Sequence, residues 1–391
     1  MREYDVIVVG GGINGCGIAQ AVAAAGHSVL LLEKTAVGAG TSSKSSKLIH
    51  GGLRYLESFE FGLVRESLRE RALLLRLAPE LVHLQQFRVP LYDHTRRGPL
   101  TLRAGLSLYY LLSGGRPEAR FRSLPRARWA ADGLRTDGLR AVFCYSDART
   151  DDRALTRAVL RSAVALGAES ACPAELISAE LSATGAEVVY CEGDAEVTCR
   201  ARVLVNAAGP WVNEVSARVR PSLQAPEVEL VQGAHIELPG DWGGDFYYVE
   251  SPSDGRAVFV MPREGRLLVG TTETPHIGDP STARALPEEV SYLLRVVGHY
   301  FPALRELGPA DVLDSWAGLR VLPGGAGAAF SRSREALFHA DRHGTPRMLS
   351  LYGGKLTTYR ATAEQMLERL QPALPVRSPV ADTRELNLTP E

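Results

Sequence analysis

Between positions 42 and 55 the chain reads Ser-Ser-Lys-Ser-Ser-Lys-Leu-Ile-His-Gly-Gly-Leu-Arg-Tyr. Hydroxyls, two ammonium groups, an imidazole, paired glycines, a guanidinium and a phenol fall in one short stretch. A packed core has no use for that mixture, because buried polar groups without partners are costly. A site that holds an anionic cofactor beside an anionic substrate has use for all of it. A second group of this kind is Gly353-Gly354-Lys355. Only four lysines, Lys34, Lys44, Lys47 and Lys355, occur among 44 basic residues. A compact ammonium differs from a planar guanidinium in size and donor geometry. Lys47 and Lys355 are therefore expected to make close contacts that arginine cannot.

These groups need elements to position them. Tyr4 to Val9 reads as a buried strand, and Gly10, Gly12 and Gly15 give the pattern G-x-G-x-x-G. An Ala-rich helical stretch runs from Ile18 to Ala25, a second strand from Ser28 to Leu32, and Glu33 closes it. The glycines permit a tight turn, a close approach to a pyrophosphate and tight helix packing, and the carboxylate suits ribose hydroxyls. This is a dinucleotide-binding unit. By itself it does not separate NAD from FAD.

The net charge of −1 gives no argument for nucleic acid or for global attraction to a membrane. Cys16, Cys144, Cys172, Cys191 and Cys199 are scattered, which fits reduced thiols and neither a disulfide frame nor a zinc site. The first strand begins almost at Met1, leaving no room for a signal peptide. No apolar run reaches membrane-spanning length.

Phe61 to Leu77 reads as an amphipathic helix. The stretch from Arg96 to Arg122 is basic at both ends and apolar within, and reads equally as an interfacial membrane element or as a core-facing helix. Another helix is expected from Asp147 to Gly167, and Val203 to Trp211 reads as a strand entering a small-residue turn. From Glu227 to Val269 the pattern alternates, as in a separate antiparallel sheet. Helix returns from Pro280 to Tyr300, and the Pro-rich tail from Pro372 reads as loosely ordered. The fold class is α/β, a doubly wound parallel sheet with an inserted antiparallel-sheet substrate domain. Residues 1–78, 140–220 and 318–375 are assigned to the cofactor domain, 79–139 and 221–317 to the substrate domain, and 376–391 to a tail.

Taken together, GGGINGCGIA, TSSKSSKLIHGGLRYLE, YSDARTDDRALT, NAAGPWV, GAHIEL, GRLLVGTTETPHIGDP, WAGLRVL and LSLYGGKLTTYR resemble the FAD-dependent glycerol-3-phosphate dehydrogenases of the aerobic, quinone-linked type. The resemblance covers nearly the whole chain. It implies a glutathione-reductase-like fold and selects FAD. It further implies that Gly10, Gly12, Gly15 and Glu33 hold the ADP half. Thr41, Ser42, Ser46, Lys47, Leu48 and His50 would line the pyrophosphate and flavin, with Ala208, Gly209 and Trp211 nearby. Gly353, Gly354, Leu356 and Thr357 would lie against the flavin ring. Arg54, Tyr55, His235, Thr272, Arg320, Arg334 and Lys355 match positions around glycerol 3-phosphate.

The implied reaction moves a hydride from C2 to flavin N5. His235 is the first candidate base, and Lys355 and Arg320 would hold substrate oxygens. Arginines from three separate segments suit a phosphate dianion. The implied partners are glycerol 3-phosphate and a quinone or other acceptor, with peripheral contact to the cytoplasmic membrane face of an otherwise cytoplasmic protein. Two departures stand out. The family's helical C-terminal domain has no counterpart here, so the sequence reads as a short form, and Glu273 stands where the family often has Asp. An oxygen-using oxidase and an amino-acid or amine oxidase of the same fold are the alternatives.

Overall fold

The protein is described from a computed structural model, over residues 1–324 and 335–390. The first strand, Arg2–Val9, pairs in parallel with Val29–Leu32 on one side and Ala195–Asn206 on the other. All four residues of Val29–Leu32 are buried. Strands covered on both faces read as continuous apolar runs, which is why this unit is legible in the sequence. Among the described residues the sheet has nine strands. Glu169–Ala171 extends it past Val29–Leu32, and Met348–Tyr352 adds in parallel to Ala195–Asn206. Helices Ile13–Ala24, Asp152–Ala165 and Tyr359–Leu370 pack on it and share one apolar core.

A second sheet, of ten strands among the described residues, is mostly antiparallel. Its longest pairs are Val82–Tyr92 with Leu139–Thr150 and Val228–Pro239 with Asp314–Pro323. Helix Pro287–Tyr300 closes a core on one part of it, and helices Phe61–Leu77 and Pro99–Leu112 close another. The expected architecture, a parallel sheet with an inserted antiparallel one, is the one observed. Leu139–Thr150 lies mostly within the segment assigned to the cofactor domain, yet it is hydrogen-bonded into the second sheet. So is Asp314–Pro323, which straddles the assigned boundary at 318.

Three expected elements differ. Residues 147–150 finish a strand and do not begin a helix; the helix starts at Asp152, where the Asp151 side chain accepts the Ala154 N–H at 2.9 Å. Acids near a helix N-terminus are common, but Asp147 is an acid of another kind, buried among partners from other segments. The helix expected from Pro280 starts at Pro287, after a short turn at Pro280–Thr282. The tail is not loose. The Val380 and Ala381 N–H groups donate to the Ala24 carbonyl, and the Leu388 side chain is buried in the core of the first sheet.

Glu70 and Arg360 tie the tail and two helices together. The buried guanidinium gives the buried carboxylate two hydrogen bonds of 2.8 and 2.6 Å and reaches Thr383 at 3.2 Å. Glu364 is a second counter-ion to Arg360. Breaking a buried pair from one side strands the other charge, at a cost of ~3–5 kcal/mol. We therefore expect Arg360→Leu to destabilise the FAD-loaded protein by about that much in urea unfolding, and Glu70→Leu by less, because Glu364 still faces Arg360. Equal losses, or a loss below about 0.5 kcal/mol for Arg360→Leu, would show that the pair does not carry this load.

Candidate active site at the junction of the two sheets

A cavity of about 710 Å³ runs between the sheets. One end is lined by Gly10, Gly12, Glu33, Lys34 and Trp211, the middle by Thr41, Ser42, Ser46, Leu48, Ala208 and Gly209. The far end is lined by His50, Tyr55, His235, Arg320, Gly353, Gly354, Lys355, Leu356 and Thr357. Nineteen of the 23 described candidates line it, and the chain thus brings together segments more than 300 residues apart. Arg334 lies outside the described residues.

At the first end the cavity is built for a dinucleotide. The N-terminus of helix Ile13–Ala24 opens onto it, with the Ile13 N–H held at 2.9 Å by the Ser42 hydroxyl. Such a terminus presents N–H groups and a positive dipole end to a pyrophosphate. Glu33 accepts the Gly11 N–H at 2.7 Å and the Thr35 N–H at 2.8 Å, which fixes its carboxylate at the cavity wall. Lys34 lies over the Trp211 ring at 4.4 Å. Gly15 is not in the wall but beneath it, where a Cβ would stand 1.9 Å from the Gly10 carbonyl oxygen. Its role here is close packing of helix on strand. The cavity thus offers backbone donors and a fixed carboxylate of the kind a dinucleotide such as FAD needs.

Toward the far end two segments lock together. The His50 N–H donates to the Thr357 hydroxyl at 3.1 Å, which ties the wall segment around His50 to the turn before helix Tyr359–Leu370. Lys355 places its ammonium 4.2 Å above the Tyr55 ring. His235 stacks on Trp316, its partner across the strand pair, at 5.7 Å and 18°. Its Nε2 lies 2.9 Å from the Ser46 hydroxyl. Burial first, then the charges of Arg320 and Lys47, hold the His235 pKa down to about 3, with the Gly233 backbone opposing them. The ring is therefore neutral at every ordinary pH, whereas an unperturbed imidazole would titrate near neutrality.

Besides Gly15, three candidates stand outside the cavity wall. Lys47 turns its ammonium onto Asp152, at 2.7 Å, and the Ser43 carbonyl, at 3.1 Å. Thr272 gives its hydroxyl hydrogen to Glu289 at 2.6 Å and accepts the Ala234 N–H at 2.8 Å. Arg54 lies beside the wall and pairs with Glu273 at 3.8 Å; Arg320 pairs with the same oxygen at 3.3 Å. Several supporting groups escaped the sequence reading. Asp152 accepts from the Ser45 hydroxyl at 2.7 Å as well as from Lys47. Asp147 accepts from the Gly51 N–H at 3.1 Å, from the Tyr109 hydroxyl at 2.7 Å and from Arg71. Both acids lie in the YSDARTDDRALT stretch, and that stretch was their only signal.

A profile of FAD dependent oxidoreductases matches residues 5–360. The chain belongs to that family. It is 41% identical over 381 residues to a glycerol-3-phosphate dehydrogenase of Pseudomonas aeruginosa, covering 94% of this chain and 72% of that one. It is 38% identical over 375 residues to a D-erythritol 1-phosphate dehydrogenase of Brucella abortus, covering 95% and 74%. The crystal structure of a glycerol-3-phosphate dehydrogenase from Bacillus halodurans, complexed with FAD, aligns with a TM-score of 0.77 at 28% identity, over 99% of this chain and 68% of that one. The resemblance read from the motifs is borne out, and FAD is the cofactor.

The neutral His235 makes a prediction. Its pKa is about 3 when folded and ordinary, near 6.5, when unfolded, so the unfolded chain takes up the proton first. The stability this contributes is full above pH 6.5 and is lost as pH falls toward 3. Between pH 6 and 4 the wild type should lose up to about 1 kcal/mol per pH unit more than His235→Asn, measured by denaturant unfolding. Parallel pH profiles would mean that His235 titrates normally in the folded protein.

Proposed function

We propose that this flavoenzyme oxidises sn-glycerol 3-phosphate at C2 to dihydroxyacetone phosphate and passes the electrons to a quinone. One observation carries the reading. Arg320 and Lys355 line the same cavity as the Gly353-Gly354 turn and the neutral, buried imidazole of His235, and Arg54 joins Arg320 from beside the wall through their shared partner Glu273. A phosphate dianion needs several cationic donors, and two guanidinium forks with one ammonium supply them. An amino-acid substrate would not need that many.

Bound FAD supplies the two-electron acceptor for the hydride that leaves C2. Arg54 and Arg320 hold the phosphate, and Lys355 holds a substrate oxygen near the reacting carbon. The C2 hydroxyl proton goes to Nε2 of His235, whose present partner is the Ser46 hydroxyl. An imidazole kept neutral by burial and nearby cations is always ready to accept but accepts weakly. The dianion offsets the field of Arg320 and so strengthens His235 as a base once substrate is bound. Arg320 also lies where it stabilises alkoxide charge developing at C2. The wall glycines and Tyr55 exclude water from the reacting atoms.

The quinone rests on the resemblance to quinone-linked dehydrogenases. Peripheral membrane contact is supported by helix Pro99–Leu112, where Leu100 and Leu111 are 83% and 69% exposed and Arg103 lies on the same helix. Among the described residues no helix is long and apolar enough to cross a membrane. The Brucella relative gives a second reading of the substrate, a four-carbon polyol phosphate, with the same phosphate contacts.

The test is anaerobic addition of sn-glycerol 3-phosphate to the FAD-loaded protein. Rapid loss of flavin absorbance is expected; bleaching by D-erythritol 1-phosphate alone would transfer the assignment to the longer polyol. Peroxide formed at the rate of turnover in air would replace the quinone by oxygen. Arg320→Ala should keep its FAD and lose roughly 10- to 100-fold in kcat/KM, the worth of a charge-assisted contact. Wild-type kinetics in that variant would remove Arg320 from the site.

A further inference from the structure

We propose that Glu273 is an exchangeable internal counter-ion that occupies the phosphate-binding arginines until an anionic substrate displaces it, and so sets the affinity of the site for all phosphates. The inference rests on the reading that Arg54 and Arg320 take the substrate phosphate.

Glu273 is held in place from its backbone. The Arg256 guanidinium donates to its carbonyl at 3.0 Å. Its neighbours Thr272 and Thr274 both give their hydroxyl hydrogens to Glu289, at 2.6 and 2.7 Å. Side chains alternate along an extended chain. With 272 and 274 tied to one side, residue 273 faces the other, toward the arginines. Its carboxylate is 7% exposed, and one oxygen serves both Arg320 at 3.3 Å and Arg54 at 3.8 Å. Neither distance is that of a tight bidentate pair. The arginines keep 21% and 26% of their side-chain surface exposed, so further acceptors can reach them.

Two like charges held close together repel unless an anion lies between them. Glu273 is that anion in the free protein. A phosphate dianion seeks the same N–H groups and is repelled by the same carboxylate. Its binding therefore includes displacement of Glu273, and the cost is common to every phosphate whatever carbon chain it carries. The consequence is selectivity by a threshold. Inorganic phosphate has only its charge to set against the cost, whereas a phosphorylated polyol adds contacts from its hydroxyls.

The test compares wild type, Glu273→Gln and Glu273→Asp, each FAD-loaded. Inorganic phosphate is titrated against the flavin absorbance, with no turnover required, and KM for sn-glycerol 3-phosphate is measured alongside. Glu273→Gln should tighten inorganic phosphate roughly tenfold, about 1.4 kcal/mol, and lower KM by a similar factor. Glu273→Asp keeps the charge and should stay within about threefold of wild type. Weaker phosphate binding in Glu273→Gln would make Glu273 a support for the arginines and overturn the proposal. Equal tightening in both variants would overturn it too, since charge would not be the cause, and so would a failure of inorganic phosphate to bind wild type and variants alike. Failure of sn-glycerol 3-phosphate to reduce the wild-type flavin would sink the functional reading and leave the phosphate titration to decide Glu273.

Discussion

The segment from Ser42 to Tyr55 carries most of the chemistry and almost no regular structure of its own. Two buried aspartates hold it. Asp152, at the start of a helix, takes the Ser45 N–H, the Ser45 hydroxyl and the Lys47 ammonium. Asp147, near the end of a strand, takes the Gly51 N–H together with the Tyr109 hydroxyl and Arg71. Five residues apart in sequence, they clamp the segment at two points, before and after His50. Without them the wall would be a loop with unsatisfied backbone groups, and such a loop does not stay buried. Tyr109 lies on the helix that carries the exposed leucines, so this clamp is also what connects that outer helix to the wall of the cavity.

The second constraint is electrostatic. Cations gather at one end of a cavity of low polarity, where each perturbs the others. The same Arg320 that pairs with Glu273 helps to keep His235 unprotonated. Acid-base capacity and anion affinity are therefore coupled: a dianion that draws charge away from Arg320 changes the basicity of His235 in the same event. On the proposed assignment of His235 as the base, it is weak in the empty site and stronger in the filled one, which ties proton removal to substrate occupancy.

Legibility in the sequence followed the range of the interactions. The G-x-G-x-x-G turn, its strands and Glu33 are set by contacts within a few dozen residues, and their pattern is local. The helix Phe61–Leu77 and the strand Phe246–Glu250 were likewise legible from periodicity alone. Asp147 was misread because one acid near a helix start looks like another; what distinguishes it, a hydrogen bond to Gly51, is formed across 96 residues. The family resemblance implied that Lys47 lines the cofactor. Its real determinant is Asp152, 105 residues away. The tail read as loose because it is rich in proline, yet Leu388 is buried in the core, with Ala373 and Leu374 packed against it, and backbone bonds to Ala24 hold the tail between them.

The last determinant of the site is how close the second sheet comes to the serine-rich segment. Strand Asp314–Pro323 passes directly under the serine-rich segment, and the contact is made at Gly318, where a Cβ would stand 2.6 Å from the Lys44 carbonyl oxygen. The Thr41 hydroxyl donates to the Leu319 carbonyl at 2.9 Å, one residue on. On the neighbouring strand Gly233 faces Gly318 in register, and a Cβ there would stand 2.5 Å from the Thr271 hydroxyl and 2.9 Å from the Arg320 guanidinium. Two facing glycines thus let one backbone lie against the cofactor wall and one guanidinium lie flat across the strand pair. A side chain at 318 would force the strand and the Lys44 backbone apart; one at 233 would crowd the Thr271 hydroxyl and the Arg320 guanidinium. The position of Arg320 in the cavity wall is therefore fixed less by the arginine than by the absence of atoms beside it.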